Sequence, residues 1–469
     1  METYHDIAVI GAGPGGYVAA IRAAQMGARV LVIEKGPLGG TCLNRGCIPT
    51  KAFLSDVKPF HKIKMSPVYR GSERLSLDIK KMVGRKNQVV ETMTKGVAAL
   101  FKSNGVTWAQ GTGGFVDSRT IGVLHGDRQT TYRANNIIIA TGSTVATIPT
   151  VSLDGRKVLS SNEIFDIPTV PEEMVIIGGG VIGVEFATIF NALGTRVTIV
   201  EMLPTIISTE DDEVIRGLRV LLQGQGITVL TDTRVTGTSI SKGTVNVKIQ
   251  EASGKEDLLT AEKVLMAVGR TPHTQGLGVE KIGLQMDGLF IKVDGRMETN
   301  VDRVYAIGDV IGKMMLAHAA SAEGIVAVEN IMGKSREMDY HRIPSCIYSF
   351  PEVASVGLKE KEAREKGLDI KVGKFPYQYS AKAMAMGESD GFVKIIAEKE
   401  MGEIVGVHIL GEHATDLIGE CLLAMHLEAA VEDLGEVVKG HPTLSETITE
   451  AALDWNGMSI HLLRSRTNV

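Results

Sequence analysis

The strongest constraint on the fold is a pattern that occurs twice in the chain, at a constant offset of 167 residues. Each copy contains an apolar run, a glycine-rich turn, an apolar helical pattern, a further glycine and a second apolar run that ends in an acidic residue. The first copy extends from Asp6 to Glu34 and the second from Glu173 to Glu201. Each copy therefore predicts a strand, a tight turn, a helix and a second strand.

The glycines of the two turns have the G-x-G-x-x-G spacing of dinucleotide-binding loops. In such a loop the first glycine permits the turn, the second lets the backbone approach a pyrophosphate, and the third lets the helix pack on the strand. The amino end of the helix then attracts the phosphates. One such motif is weak evidence, but the full context occurs twice and predicts two bound dinucleotides. The glycines are Gly11, Gly13 and Gly16 in the first copy and Gly178, Gly180 and Gly183 in the second.

The acidic residue that ends each copy can accept hydrogen bonds from a ribose hydroxyl group. These residues are Glu34 and Glu201. Glu201 is followed by Met202, Leu203 and Pro204, so no arginine stands there to accept a 2′-phosphate. Because the carboxylate would also repel that phosphate, the second site favours NAD over NADP.

Charge and composition argue against several classes of partner. The formal net charge is −5, no basic block occurs, and aromatic residues make up only 5% of the chain. These features weigh against nucleic acid and anionic membranes as partners. No apolar run is long enough for a membrane span, and no basic leader follows Met1. We therefore predict a soluble, cytoplasmic protein.

The chain of 469 residues is too long for a single core and predicts about three domains. We predict an α/β fold with two Rossmann-like domains, residues 1–145 and 146–268. Residues 269–342 form a central segment. Residues 343–469 mix short predicted strands (392–397 and 404–410) with predicted helices (415–425 and 445–453), which is typical of an α+β domain.

Cys42 and Cys47 follow the first copy of the repeat and are separated by four residues. A zinc site would need further cysteine or histidine ligands nearby, and none is present. A dithiol–disulfide pair is the natural interpretation, with two buried free thiols as the alternative. A position at a helix start predicts that both thiols have lowered pKa values. Cys346 and Cys421 lie singly in apolar runs, where burial is expected.

His441 is a candidate base near the end of the chain. Histidine exchanges a proton near neutral pH, and Glu446, five residues on, could orient the ring and stabilise its charged form. An alternative is that Thr443 and Glu446 form a capping box, in which case Glu446 only caps a helix. The spacing alone leaves both interpretations open.

Taken together, these motifs resemble those of the flavin-dependent pyridine nucleotide–disulfide oxidoreductases, over nearly the whole chain. Within that family, the resemblance favours members that oxidise protein-bound dihydrolipoamide and reduce NAD. Two small departures, glycine at position 440 and threonine at position 50, leave the expected chemistry unchanged. The segments that carry the resemblance are 11–16 (GAGPGG), 40–51 (GTCLNRGCIPTK), 178–185 (GGGVIGVE), 306–309 (AIGD), 316–319 (LAHA) and 441–446 (HPTLSE).

The resemblance implies that the first copy of the repeat holds FAD, with Glu34 on the adenosine ribose, and that the second holds NAD. It also implies that Lys51 lies beside the flavin and pairs with Glu185. The residues implied to hold FAD are Gly11, Gly13, Gly16, Glu34, Lys51, Gly113, Thr141, Gly142, Asp309 and Ala317. Those implied to hold NAD are Gly179, Gly180, Gly183, Glu201, Val235 and Gly269.

The resemblance also implies the catalytic roles. Cys42 would exchange with the substrate, Cys47 would face the flavin, and His441 would be the acid–base, assisted by Glu446. Electrons would pass from dihydrolipoamide through the cysteine pair and FAD to NAD. Residues 269–342 would complete the FAD domain, and residues 343–469 would form the interface of a homodimer in which each active site takes His441 from the other subunit.

The implied partner is a separate lipoyl-bearing protein, either the acyltransferase of a 2-oxo-acid dehydrogenase complex or the H protein of the glycine cleavage system. Another disulfide reductase, such as a glutathione reductase, is an alternative enzyme. A non-enzymatic nucleotide sensor on the same fold is an alternative of a different class. Neither the intact cysteine pair nor the His-Pro motif would be needed by a sensor.

Overall fold

The computed structural model describes residues 4–463. The strands are β1 (Tyr4–Ile10), β2 (Val30–Glu34), β3 (Thr107–Gln110), β4 (Thr112–Asp117), β5 (Thr120–His125), β6 (Arg128–Ile139), β7 (Ser143–Val145), β8 (Val158–Ser160), β9 (Glu173–Ile177), β10 (Arg196–Val200), β11 (Thr228–Leu230), β12 (Thr233–Ser241), β13 (Thr244–Glu251), β14 (Glu256–Ala261), β15 (Lys263–Met266), β16 (Arg270–Pro272), β17 (Met286–Asp287), β18 (Phe290–Ile291), β19 (Val304–Ala306), β20 (Ser345–Ile347), β21 (Glu352–Gly357), β22 (Ile370–Pro376), β23 (Phe392–Glu398) and β24 (Ile404–Gly411). The α-helices are α1 (Pro14–Gln25), α2 (Gly40–Arg45), α3 (Cys47–Met65), α4 (Ile79–Ser103), α5 (Val181–Ala192), α6 (Asp212–Gly224), α7 (Ala317–Ile331), α8 (Glu360–Glu365), α9 (Ala381–Met386), α10 (Ala414–His426), α11 (Val431–Glu436) and α12 (Glu446–Trp455). Short 3₁₀ turns lie at Ser72–Arg74, Ile164–Asp166, Val279–Ile282, Gly308–Ile311, Tyr340–Arg342 and Tyr377–Tyr379.

The chain folds into two compact units. The first consists of the residues up to Thr147 together with 160–169 and 269–338, so the chain leaves this unit and returns to it. The second consists of 148–159, 170–268 and the residues from Asp339 onward. None of the helices between residues 4 and 463 is long and apolar enough to cross a membrane.

The core of the first unit is a sheet in which β3, β2, β1, β6 and β19 lie side by side and parallel. Its inner strand β1 is apolar on both faces, with Ile7, Ala8 and Val9 fully buried. Such continuous burial is typical of a parallel strand that helices cover on both sides. The first half of β6 instead pairs antiparallel with β5, which in turn pairs antiparallel with β4. Parallel strands joined by helices confirm the predicted α/β class.

Two strands that resemble each other in sequence are neighbours in this sheet. The end of β6 pairs in parallel with β19, and Ile139 lies opposite Ala306. Thr141 follows the first of these strands and Asp309 follows the second. Ligands of open α/β sheets bind at the carboxyl ends of the strands, so the fold places both polar side chains at the edge where a cofactor would bind.

A buried carboxylate joins helices α1 and α7 in the first unit. The side chain of Glu329 on α7 is only 6% exposed and pairs with Arg22 of α1 at 2.9 Å. It also pairs with Arg336 at 3.0 Å and with Lys334 at 3.3 Å. The hydrogen bonds from Arg22 and Arg336 lower the pKa of Glu329 to about 2, against the opposing effect of burial.

Replacing Glu329 with glutamine is expected to reduce stability most at neutral pH. Because the folded-state pKa lies below the ordinary value of 4.5, the ionised carboxylate stabilises the fold above about pH 4.5, and this contribution is lost as the pH falls towards 2. We expect the melting temperature to fall by about 2–4 °C at pH 7 and the difference to shrink below pH 4. Circular dichroism melts measure both effects.

The matched control for this change is Glu91→Gln. Glu91 also pairs with a lysine, Lys95, but both side chains are largely exposed. Exposed pairs contribute little to stability, so this substitution should leave the melting temperature almost unchanged. Equal effects of the two substitutions at pH 7 would contradict the role assigned to the buried carboxylate.

The second unit contains three sheets. Strands β11, β10, β9 and β15 form a parallel sheet, which β8 extends, and β12, β13 and β14 form an antiparallel sheet. The C-terminal sheet is antiparallel in the order β20, β21, β24, β23 and β22, and helix α12 packs on β22 and β23. The predicted strands 392–397 and 404–410 and helices 415–425 and 445–453 are found as β23, β24, α10 and α12. The C-terminal region is thus α+β, as predicted.

Candidate active site

The two glycine-rich loops have the same local geometry. Gly11 has a φ of +106° and Gly178 a φ of +108°, a conformation that favours glycine. A Cβ atom on Gly16 would lie 2.0 Å from the carbonyl oxygen of Gly11, and one on Gly183 would lie 2.0 Å from that of Gly178. The first and third glycines of each loop are therefore required by the fold itself.

The second glycine of each loop is not required by the fold. Gly13 and Gly180 have φ values of −69° and −73°, which any residue adopts. A Cβ atom on Gly180 would meet no protein atom within 4 Å, and one on Gly13 would only touch Gly40 at 3.9 Å. Each of these glycines immediately precedes a helix, α1 or α5. The open space before the helix is what a pyrophosphate needs, so both loops fit a dinucleotide.

Replacing Gly180 with alanine is expected to weaken NAD binding without destabilising the protein. The added methyl group would stand in the space left for the pyrophosphate, so we expect the Kd for NAD to rise at least about tenfold. Isothermal titration calorimetry measures this change, and a thermal melt checks that the fold is intact. Gly224→Ala at the end of α6 is the matched control, because its Cβ also meets open space. A normal NAD affinity in Gly180→Ala would contradict the assigned site.

The two acidic residues are held beside their loops by backbone amides. Each accepts one hydrogen bond from an amide within its glycine loop and a second from the amide two residues further along the chain. For Glu34 the loop amide is that of Ala12, at 2.7 Å, and for Glu201 it is that of Gly179, at 2.5 Å. The second bonds measure 2.8 Å and 2.7 Å. Since a carboxylate has about four acceptor sites, both can still accept a ribose hydroxyl.

The hydroxyl oxygen of Thr141 is shielded from solvent and has no hydrogen-bond partner in the described part of the chain. An unsatisfied buried hydroxyl group costs about 1–3 kcal/mol, so a ligand group is expected to supply the partner. Gly142 follows with a φ of +70° and lets the chain turn at the sheet edge. This is the second feature of the first unit that fits a bound cofactor.

Asp309 is tied to an arginine that the sequence did not single out. It accepts a hydrogen bond from the Ser143 hydroxyl group and lies 3.6 Å from Nε of Arg270. Arg270 is mostly buried and donates to Oγ of Ser143 at 2.6 Å and to Oγ1 of Thr41 at 3.4 Å. Because Thr41 precedes Cys42, Arg270 links the sheet edge to the segment that carries the cysteines. The sequence feature that could have indicated Arg270 is its position directly after Gly269, a residue predicted to hold NAD.

The remaining residues predicted to hold the cofactors occupy different kinds of position. Gly113 lies in β4, where a Cβ would approach the side chains of β1 and β2 to within 3.3 Å. Ala317 is the first residue of α7. Val235 is a buried apolar residue of β12, and Gly269 has a φ of +111° just beyond β15. Glu185 is buried on α5, and its Oε1 accepts a hydrogen bond from the backbone amide at position 348. The Lys51–Glu185 pair stays a prediction.

The structure brings Cys42 and Cys47 together. Cys42 lies in the short helix α2, and Cys47 is the first residue of α3, with Gly46 between the two helices. The side chains of the two cysteines are hydrogen-bonded to each other. Lys51 lies one helical turn beyond Cys47 on α3. Among residues 4–463, no group of three or more potential ligands could hold a metal ion. The arrangement is therefore suited to dithiol–disulfide exchange.

The predicted lowering of the thiol pKa is wrong for Cys42. Its hydrogen bond with Cys47 raises the pKa, burial raises it further, and the positive charge of Lys51 opposes both effects without outweighing them. When two thiols are adjacent, one ionises and the other stays protonated, because two neighbouring thiolates would repel each other. Cys42 therefore keeps its proton in the reduced pair and depends on a base to remove it.

Each carboxylate oxygen of Glu446 has its own partner. Oε1 lies 2.8 Å from Nδ1 of His441, and Oε2 accepts the backbone amide of Thr443 at 2.8 Å. The full capping box is absent here, since α12 begins at Glu446 with Ser445 as its N-cap. Partial burial works to raise the pKa of Glu446, but the bonds from His441 and Thr443 outweigh it and lower the pKa. The His441 side chain is 72% exposed and therefore accessible to a substrate.

Comparisons with known proteins cover almost the whole chain. Residues 5–324 match the family model of pyridine nucleotide-disulphide oxidoreductases, and residues 343–452 match that family's dimerisation domain. The mitochondrial dihydrolipoyl dehydrogenase of Pisum sativum is 42% identical over 98% of this chain and 93% of its own length. The dihydrolipoyl dehydrogenase of Bacillus subtilis is 40% identical over 98% of this chain and 100% of its own. The crystal structure of LpdA from Mycobacterium tuberculosis matches with a TM-score of 0.90 at 25% identity, covering 96% of this chain and 99% of that one.

Proposed function

Because the chain belongs to the pyridine nucleotide–disulphide oxidoreductase family, we propose that it is a dihydrolipoyl dehydrogenase that oxidises protein-bound dihydrolipoamide and reduces NAD. The family resemblance that the motifs indicated is confirmed, and the chain is an oxidoreductase that uses FAD and NAD. The contact between Cys42 and Cys47 carries the proposal for the substrate, since a dithiol is what such a pair exchanges with.

The two cofactors are assigned to the two glycine loops. FAD would be held in residues 1–145, completed by 269–342, with Glu34 on its ribose and Thr141 and Asp309 at the sheet edge. NAD would be held in residues 146–268, with Glu201 on its ribose. The amide bonds that fix Glu201 support NAD, because a fixed carboxylate repels the 2′-phosphate of NADP.

The thiol chemistry uses residues of this chain. Bound FAD would supply a two-electron acceptor for the dithiol and a hydride donor for NAD. His441 removes a proton from dihydrolipoamide, and the resulting thiolate attacks Sγ of Cys42 in the Cys42–Cys47 disulfide, so that Cys47 leaves as a thiolate. The second substrate thiol then displaces Cys42, and lipoamide is released. One substrate proton ends on Cys42, whose pKa is raised, and the other ends on His441.

The proposed assembly is a homodimer with shared active sites. The match of residues 343–452 to a dimerisation domain supports a homodimer. His441 belongs to residues 343–469 and would reach the cysteine pair of the other subunit. The partner would be a lipoyl-bearing protein, either the acyltransferase of a 2-oxo-acid dehydrogenase complex or the H protein of glycine cleavage. The location in the cytoplasm stays a prediction.

Anaerobic assays with purified holoprotein test this proposal. One assay follows NADH formation from dihydrolipoamide and NAD, and a parallel assay follows NADPH oxidation by glutathione disulfide. Rapid NADH formation in the first assay alone would support the lipoamide function. Activity in the second assay alone would contradict the proposed substrate and nucleotide and favour a glutathione reductase that uses NADPH. Activity in neither assay, with FAD retained, would favour a nucleotide sensor.

A further inference from the structure

A second histidine–glutamate pair lies beside the pair formed by His441 and Glu446. Nδ1 of His461 lies 2.7 Å from Oε1 of Glu450. Glu450 follows Glu446 by four residues on α12, so the two carboxylates lie on the same side of the helix, one turn apart. The mechanism proposed above makes no use of this second pair.

The Glu450 carboxylate is held in place by several hydrogen bonds. Its side chain is only 10% exposed. Its Oε2 accepts the hydroxyl group of Ser459 and the backbone amides of Ile460 and His461, the last two at 3.0 Å and 3.2 Å. These bonds fix the segment 459–461 against α12, so the His461 ring is anchored through both its backbone and its Nδ1 atom.

The charges of the two pairs act on each other. Two carboxylates one turn apart repel, and a positive charge on each imidazole reduces that repulsion. His461 lies close enough to Glu446 for its positive charge to contribute, together with His441, to the lowered pKa of that carboxyl group. Hydrogen bonds from Ser459 and His461 likewise lower the pKa of Glu450, outweighing the opposing effect of burial.

Several charged groups on the elements packed against α12 have partners other than Glu446 and Glu450; Lys394 of β23, for example, pairs with Asp211 at 2.9 Å. Glu432 of α11 accepts a hydrogen bond from Asn456 at 3.3 Å. Lys371 of β22 lies over the ring of Trp455, and the backbone amide of Lys374 bonds to Asp454. Within the described residues, Glu446 bonds to the ring of His441 and Glu450 to the ring of His461.

We propose that His461 is a positioning residue of the acid–base centre, which balances the charge of Glu450 beside Glu446 and so sets how strongly His441 holds a proton. This inference rests on the proposed function for its catalytic consequence, but the proton affinity of His441 can be measured without any substrate.

Removing the charge of His461 should make His441 a stronger base. Without that charge, the Glu450 carboxylate would lose its cationic partner, and its negative charge would help to stabilise the protonated imidazole of His441. Since dihydrolipoamide oxidation needs neutral His441, the acidic limb of the kcat/KM profile should move to higher pH by about half a unit. On that limb kcat/KM should fall about threefold, with no change on the alkaline plateau.

The test compares His461→Asn, whose amide still bonds to Glu450 without a charge, with His461→Ala. The ring Cε1–H NMR signal of His441, identified by its loss in His441→Gln, is titrated in holoenzyme of each variant. An upward pKa shift in both variants, with the matching shift of the kcat/KM profile, is expected. His426→Asn, an exposed histidine of α10, is the control and should shift neither.

The outcomes separate this inference from the proposed function. An unchanged His441 pKa in both variants would overturn the inference, even if the wild-type enzyme oxidises dihydrolipoamide rapidly. If the melting temperature falls in His461→Ala alone and His441 titrates as in the wild type in His461→Asn, then His461 only holds the segment 459–461 in place. That result would also overturn the inference. A raised pKa in a protein that does not oxidise dihydrolipoamide would support the inference and remove only the proposed function.

Discussion

Replacing Cys42 with serine is expected to abolish the oxidation of dihydrolipoamide by NAD, with a loss of at least about 10⁴-fold in kcat. Serine cannot form the disulfide that the substrate thiolate attacks, so no covalent path from substrate to flavin remains. The anaerobic NADH-formation assay measures the loss. The effect should be nearly complete because Cys42 and Cys47 act as a unit and neither sulfur can exchange electrons alone.

Electron transfer that does not pass through the cysteine pair should survive in the same variant. Cys42→Ser leaves both glycine loops untouched, so we expect it to retain FAD and to pass electrons from NADH to ferricyanide at a rate close to that of the wild type. Cys346→Ser, a partly buried cysteine on β20, is the control and should retain dihydrolipoamide oxidation. More than a few per cent of wild-type lipoamide activity in Cys42→Ser would contradict the role of Cys42.

The parts of the fold that could be predicted from sequence are those with short-range causes. Gly11 and Gly178 adopt the same positive φ because each turns a buried strand into a helix within a few residues. Helices α1 and α5 consequently begin at positions that differ by the offset of the repeat, and both are twelve residues long. Such features depend on neighbouring residues and are therefore visible in the sequence pattern.

Strands that are exposed on one or both faces were not predicted from the sequence. No strand was predicted in β3, β4 and β5 or in β12, β13 and β14, where apolar burial is interrupted by exposed polar residues. The role of Arg270 was not predicted either, for a different reason. Its partners Ser143 and Thr41 lie 127 and 229 positions away in the sequence, so no local pattern could bring them together.

The pKa prediction for Cys42 was wrong because it considered the helix start and not the neighbouring thiol or burial. The start of a helix favours a thiolate, but the second thiol and burial act on Cys42 more strongly. For Glu446 the predicted capping box did not form, because α12 begins at Glu446 itself with Ser445 as its N-cap. A carboxylate has two oxygens, and the fold gives one to His441 and the other to the Thr443 amide.

Replacing His441 with glutamine should reduce kcat for dihydrolipoamide oxidation by about 10²–10⁴-fold. Glutamine fills a similar volume but cannot take a proton from the substrate thiol or return one. The raised pKa of Cys42 adds to the loss, because the protonated thiol needs a base nearby when the reaction runs in reverse. Stopped-flow measurement of flavin reduction by dihydrolipoamide shows the loss directly, whereas electron transfer from NADH to ferricyanide should remain unchanged.

Glu446→Gln separates the two roles of that carboxylate and thereby tests how His441 works. The amide oxygen of glutamine can still accept the Thr443 amide, so the start of α12 and the melting temperature should be preserved. The negative charge beside His441 is lost, so His441 becomes a weaker base and the acidic limb of the kcat/KM profile should move to lower pH. We expect a loss in kcat of about tenfold, smaller than in His441→Gln. An unshifted profile with reduced melting temperature would instead give Glu446 a structural role alone, through its bond to the Thr443 amide, and leave His441 to act without it.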